Sequence, residues 1–163
     1  MHYIVVNRLP GGMAYRLLGG VEGLSSEPPM TPSQIQAVQS SFARVRPISD
    51  QAGEMFYRRL FEIAPSVRPL FKGDIAEQQR KLMQMLTVAV GSLDNLDAII
   101  PAVQALGARH ATYGVQDSHY DVVAEALLWT LETGLGAAFT SDVKEAWVVA
   151  YGTLAAVMKD AAH

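Results

Sequence analysis

The sequence predicts an all-α domain of about seven helices, and three observations carry that expectation. Apolar residues recur at helical spacing over most of the chain: Ile99, Val103, Leu106 and His110 fall at i, i+4, i+7 and i+11, one face of an α-helix. Capping residues and helix breakers punctuate these stripes at regular intervals. The two-residue alternation of a half-buried strand is missing outside the first few residues.

Thr31-Pro32-Ser33-Gln34 is a capping box with proline at the first helical position. Ile35, Val38, Phe42 and Val45 then form a stripe that stops at Pro47. The next helix runs to about Ala64, its apolar side made by Phe56, Tyr57, Leu60, Phe61 and Ile63. Pro65 and Pro69 allow only a short turn through Leu70 and Phe71, and Lys72-Gly73 is loop. Asp74, with Glu77 three residues on, opens a helix bearing Leu82, Leu86, Val90 and Leu93 that Asp94-Asn95 ends. The helix carrying His110 closes near Gly114. Ser118 with Asp121 reads as the next cap, leading into Val123, Leu127, Leu131 and Leu135, with Gly134-Leu135-Gly136 as the stop. After Thr140 and Ser141 the last helix shows Val143, Trp147, Tyr151, Leu154 and Met158.

A length of 163 residues suits one domain with its own core, and 50% hydrophobic with 18% charged residues is an ordinary globular balance. The net charge of −3 argues against nucleic acid as a partner. The absence of cysteine excludes disulfides, thiolate metal sites and cysteine nucleophiles, and is compatible with the cytoplasm, the expected location. No apolar run reaches the roughly 20 residues that span a bilayer.

Residues 1–29 differ: they are rich in glycine and proline, and their apolar pieces, Tyr3 to Val6 and Leu17-Leu18, are short. Arg8 and Pro10 follow the first piece, contrary to the basic-then-apolar order of a signal peptide. The expectation is a disordered extension, or translation upstream of a true start at Met30, with the domain at 30–163.

His110 ends an oily stripe, so its imidazole points inward and needs a hydrogen-bond partner or a metal. A satisfied core histidine and a metal ligand both meet that need. Gln78 shares the inward face of Leu82 and Leu86, Tyr57 sits in a helix interior beside Phe56, and Phe71 occupies a loop position that is ordinarily polar. Each has a plain account as well: a rim tyrosine, a first-turn surface glutamine, a hydrophobic plug.

Taken together with their surroundings, these residues resemble a known family. The matching strings are Met55-Phe56-Tyr57-Arg58-Arg59-Leu60-Phe61, Pro65-Ser66-Val67-Arg68-Pro69-Leu70-Phe71, Gln78 to Leu82 and Asp94-Asn95-Leu96. They continue with Leu106-Gly107-Ala108-Arg109-His110, Asp117-Ser118-His119-Tyr120, Ala146-Trp147 and Ala150-Tyr151-Gly152. From Thr31 to about Asp160, some four-fifths of the chain, the sequence resembles the globin family. It is most similar to bacterial single-domain haemoglobins and the globin part of flavohaemoglobins.

The resemblance implies a globin fold around haem b. His110 corresponds to the proximal histidine that binds haem iron, Phe71 to the phenylalanine packed on the porphyrin, Tyr57 and Gln78 to the distal pair, and Leu82 to the apolar residue over the iron. Lys81, Arg80 or Arg109 would pair with haem propionates, or stay solvated on a helix flank. Tyr120 corresponds to a tyrosine that, with a late glutamate, bonds the far nitrogen of the proximal histidine. This chain has Ala162 where that glutamate belongs, and its nearest acid is Asp160. The network would be incomplete and the iron less electron-rich, against peroxidase-like chemistry. His119 and His163 are expected at solvent without a role. No histidine aligns with Gln78, which leaves Tyr or Gln as the candidate ligands of a resting ferric iron on that side.

The function implied is reversible binding of O2, and of CO and NO in the same pocket. O2 release would be slow, because Tyr57 and Gln78 both donate hydrogen bonds in a dry pocket. Nitric oxide dioxygenation is the enzymatic alternative. No Gly-rich dinucleotide fingerprint is present, so turnover would need a separate flavin- and NAD(P)H-dependent reductase. A gas sensor, or a globin-fold scaffold without haem, completes the alternatives. Monomer and homodimer are both compatible with the chain, and Ala137, Ala138 and Phe139 are candidate dimer contacts.

Overall fold

The computed structural model describes residues 30–163, and the expectations for residues 1–29 lie outside them. Six α-helices follow in order: α1 Pro32–Val45, α2 Ser49–Ile63, α3 Ile75–Gly91, α4 Ile100–Thr112, α5 Asp117–Leu135 and α6 Ser141–Ala162. With the Pro65–Leu70 3-10 helix they make the expected set of about seven. No strand occurs among the described residues, and none of their helices is long and apolar enough to cross a membrane.

Local chemistry sets most boundaries. Thr31 Oγ1 accepts from the Gln34 N–H at 3.1 Å and Gln34 Oε1 accepts from the Thr31 N–H at 3.0 Å, closing the predicted box. Pro65 pushes Ala64 out of the helical region, to φ −143° and ψ 72°, and α2 stops at Ile63. Asp74 Oδ1 caps α3 through the Ala76 N–H at 3.0 Å, while Glu77 turns the other way, to Lys81 at 3.6 Å. Gly114, at φ +92°, lets the Val115 N–H return to the His110 carbonyl at 3.0 Å. That six-to-one bond is the Schellman closure of α4. Thr140 Oγ1 caps α6 through the Val143 N–H at 3.3 Å.

Two boundaries correct the sequence reading. α3 ends at Gly91, and Asp94-Asn95 lie inside a 3-10 segment, Leu93–Ala98, that kinks at Asn95. α5 starts at Asp117 with Gln116 as its cap, not at Ser118 with Asp121. The side chain that closes this turn is His119, whose Nδ1 accepts from the Gln116 N–H at 2.9 Å. A neutral imidazole nitrogen does there what a carboxylate does in a Ser/Asp cap. His119 therefore has a structural role where none was expected.

The core forms where α1, α2, α5 and α6 meet, around Val38, Phe42, Leu60, Leu131 and Trp147. Its buried polar contact crosses from α6 to α1: the Trp147 indole N–H donates to Ser41 Oγ at 2.8 Å. α2 rests on α5, α1 on α6, and α3 on α2. α4 lies along α6, and α3 and α4 are not packed on one another. That gap positions the site.

Candidate functional site

Gln78, Leu82 and Leu86 are half-buried on α3, with Met85 beside them 41% exposed. Val103, Leu106 and His110 are half-buried on α4, and Val103 and Leu106 do not join the core cluster. Apolar surface left half-wet on two helices that do not pack extensively on one another is an unfavourable arrangement for a finished core. The half-buried faces of α3 and α4 are the candidate walls of a site for an apolar group.

On the α2 side, four aromatic rings hold one another. Tyr57 stands edge-on to Phe56 at 4.9 Å and to Phe71 at 5.3 Å, and lies 5.9 Å from Phe61. Phe71 is pinned from its own loop: Arg68 Nη1 donates to the Phe71 carbonyl at 3.0 Å, and the Phe71 N–H donates to the Arg68 carbonyl at 3.1 Å. The same guanidinium sits 5.1 Å over the Phe61 ring. An aromatic residue in a loop therefore has a fixed place beside Tyr57 and Phe61.

Tyr57 is only 6% exposed, and its hydroxyl has no hydrogen-bond partner among the described residues. Burial raises its pKa to about 12, so the phenol keeps its proton and can donate. The Gln78 side chain makes no hydrogen bond among the described residues either.

On α4, His110 Nδ1 is buried without an acceptor in hydrogen-bonding geometry. Burial lowers the pKa of the ring, the Leu106 carbonyl one turn back works weakly the other way, and Arg109 lowers it further. The neutral imidazole, the form that ligates a metal, is thereby favoured. Among the described residues no three His, Cys, Asp or Glu side chains cluster as a metal site. A metal held by His110 must bring its remaining ligands with it.

Tyr120 is buried at the start of α5, its hydroxyl also without a partner, and burial followed by the Asp117 charge raises its pKa. Its carbonyl accepts from the Tyr151 hydroxyl at 2.7 Å, and the Lys159 ammonium lies 5.5 Å from its ring. Ala162 is half-buried in the last turn of α6. Lys81 and Arg109 are exposed, and Lys81 pairs with Glu77. Arg80 lines a separate open cleft of about 510 Å³ with Arg46, Ser49 and Asp50, where α2 begins. His163 reaches Asp117 at 3.1 Å, tying the end of α6 to the start of α5. Lys159 gave no signal in the sequence beyond ordinary surface charge.

Residues 54–158 match the family model described as Globin. The chain is 33% identical to a flavohemoprotein of Bacillus subtilis over 116 residues, which cover 67% of this chain and 29% of that protein. It is 30% identical to neuroglobin of Danio rerio over 120 residues, 65% of this chain and 76% of the relative. Among solved structures, an engineered carbene transferase described as a candidate nitric oxide dioxygenase from Rhodothermus marinus superposes with a TM-score of 0.75 at 30% identity. That match covers 82% of this chain and 93% of the other. The chain spans about a third of the length of the flavohemoproteins it matches.

Proposed function

The chain belongs to the globin family, and on that premise we propose that it is a haem b protein binding O2, and CO and NO in the same pocket. The observation that supports this reading is a set of unspent polar groups beside half-buried apolar faces of α2, α3 and α4. His110 on α4 buries Nδ1 toward its own helix and leaves Nε2 without a hydrogen bond among the described residues, and Tyr57 and Gln78 likewise have polar groups with no partner among them. Those residues fit a haem: one imidazole for the metal, half-exposed apolar walls for the macrocycle, and donors for a ligand on the opposite side.

When bound, haem would supply an iron able to take up diatomic gases reversibly, and His110 is the residue that would hold it. The chain's own residues do the rest. His110 holds the metal, Phe71 and Leu82 cover the macrocycle and exclude water, and Lys81 or Arg109 offers charge to its carboxylates. Tyr57 and Gln78 would donate hydrogen bonds to O2 held there and so slow its release. Tyr120, without the glutamate that accompanies its counterpart in flavohaemoglobin-type globins, leaves the far side of His110 weakly supported.

The test is an absorption spectrum of the purified protein supplied with hemin, reduced, with and without CO. A Soret band that shifts with CO supports the reading, and a colourless product refutes it. Replacing His110 with Ala is expected to abolish or displace that band.

A second reading is nitric oxide dioxygenation with a separate reductase, favoured by the similarity to the globin portion of flavohemoproteins. It predicts NO consumption sustained by NAD(P)H and a flavin reductase. A reaction that stops after one turnover leaves the binding function alone.

A further inference from the structure

We propose that Gly107 positions His110: its bare Cα lets α4 close onto the backbone of α6, and that contact places the imidazole. The inference rests on the haem reading above. A Cβ at residue 107 would meet three backbone atoms of Met158, the carbonyl oxygen, Cα at 2.6 Å and the carbonyl carbon at 2.8 Å. Real Cβ atoms essentially never approach so closely, and backbone cannot step aside as a flexible side chain does. Gly53 and Gly134 lie against side-chain atoms at 3.1 Å and 3.4 Å, and Gly152 has open space. Gly107 is the one described glycine whose Cβ would strike backbone at such range.

The helix contacts make this approach matter. α4 packs substantially on α6 and on the 3-10 segment that leads into it, and on no other element. Its apolar stripe stays out of the core, so α6 is its support and the tightest point of that support is Gly107. Glycine in a helix interior works against the helix. Here it permits a backbone approach that every larger residue forbids. His110 lies three residues further along the same side, and a helical side chain leans back over the turn before it. The imidazole therefore stands over the Leu106-Gly107 turn, where its Nδ1 is buried. Moving α4 off α6 at that turn moves the ring and opens that nitrogen to water. Ala155 and Ala162, three before and four after Met158, keep that side of α6 small.

The experiment compares wild type, Gly107→Ala and, as a control, Gly152→Ala, each supplied with hemin. Two quantities are read: the iron–histidine stretching frequency of the reduced protein by resonance Raman, and the rate of hemin loss to an excess of apomyoglobin. Gly107→Ala is expected to shift the frequency and to speed hemin loss by about tenfold or more, the range seen when support behind a metal ligand is removed. Gly152→Ala is expected to change neither. The same substitution is then made in His110→Gly with imidazole added from solution. There the ligand is no longer tethered to α4, and Gly107→Ala is expected to leave the stretching frequency unchanged.

An unaltered frequency and loss rate in Gly107→Ala overturns the proposal. So does an equal frequency shift in the untethered background, which would mean a collapsed pocket and not a misplaced ring. Should Gly107→Ala fail to fold by circular dichroism, Ala155→Leu wedges the same helix pair from α6, where Ala155 is buried, and must shift the frequency in its place. No change there overturns the proposal too. If wild type takes up no hemin, the haem reading itself fails and this inference falls with it.

Discussion

Tyr57 meets Phe71 edge-on, with ring centroids 5.3 Å apart and planes at 80°. The contact joins a residue in the middle of α2 to one in the loop before α3, and it couples two roles. The ring proposed to cover the macrocycle is the ring that steadies the Tyr57 phenol. Edge-to-face pairs of this kind contribute about 0.5–1.5 kcal/mol beyond their buried area. Arg68 anchors the loop end through the Phe71 carbonyl, so the Tyr57 hydroxyl is aimed by packing alone.

Tyr57→Phe keeps that packing and deletes only the hydroxyl, which no described residue accepts from or donates to. Thermal stability of the apoprotein is expected to change little. The O2 dissociation rate, measured by stopped flow, is expected to rise about tenfold, since a hydrogen bond lost in a dry pocket is worth about 1.4 kcal/mol or more. An unchanged rate would remove the phenol from the ligand's surroundings.

Acid should weaken the apoprotein through His110. Its pKa is lowered in the fold by burial first, so near pH 6.5 and below the unfolded chain binds the proton more readily than the folded one. The stability it contributes is fully present above the ordinary histidine pKa of 6.5 and is lost as pH falls through and below it. Urea titrations of wild type and His110→Gln from pH 8 down to about pH 5 should therefore diverge, with wild type losing stability faster on the acid side. Parallel curves would place His110 in water.

Ser41→Ala isolates the polar contact of the core. The variant strands the buried Trp147 N–H, which now donates to Ser41 Oγ at 2.8 Å. Leaving a buried donor unpaired costs about 1–3 kcal/mol, readable as a lower urea midpoint without a change in slope.

Thr31→Ala removes one half of the box that begins α1. A loss of about 1 kcal/mol is expected, and Gln34→Ala, which removes the reciprocal bond, should cost less than the pair removed together. A null effect in chemical denaturation would mean that α1 is held by Val38, Phe42 and Val45 alone.

Helix starts and stops were legible wherever one residue's chemistry acts on its own neighbours. Thr31, Asp74, Thr140, Pro65 and Gly114 act within a turn of themselves, so a sequence window contains both partners. The start of α5 was misread for a related reason. The capping template looks for a hydroxyl or a carboxylate, and His119 does the same work with an imidazole nitrogen. The apolar stripe of α4 that ends at His110 followed from helical period, but the structure leaves it half-buried and outside the core.

What the sequence determined by itself is the class of fold, the order of helices and which side chains turn inward, because capping and amphipathic period are local properties. Only the tertiary structure decided that α3 and α4 stand apart while α4 lies against α6. It alone placed Gly107 against Met158, Lys159 beside Tyr120 and Trp147 against Ser41. Each of these pairs joins residues remote in the chain through helices that cross in space. Their distances depend on how whole elements pack, and no window of sequence contains that information.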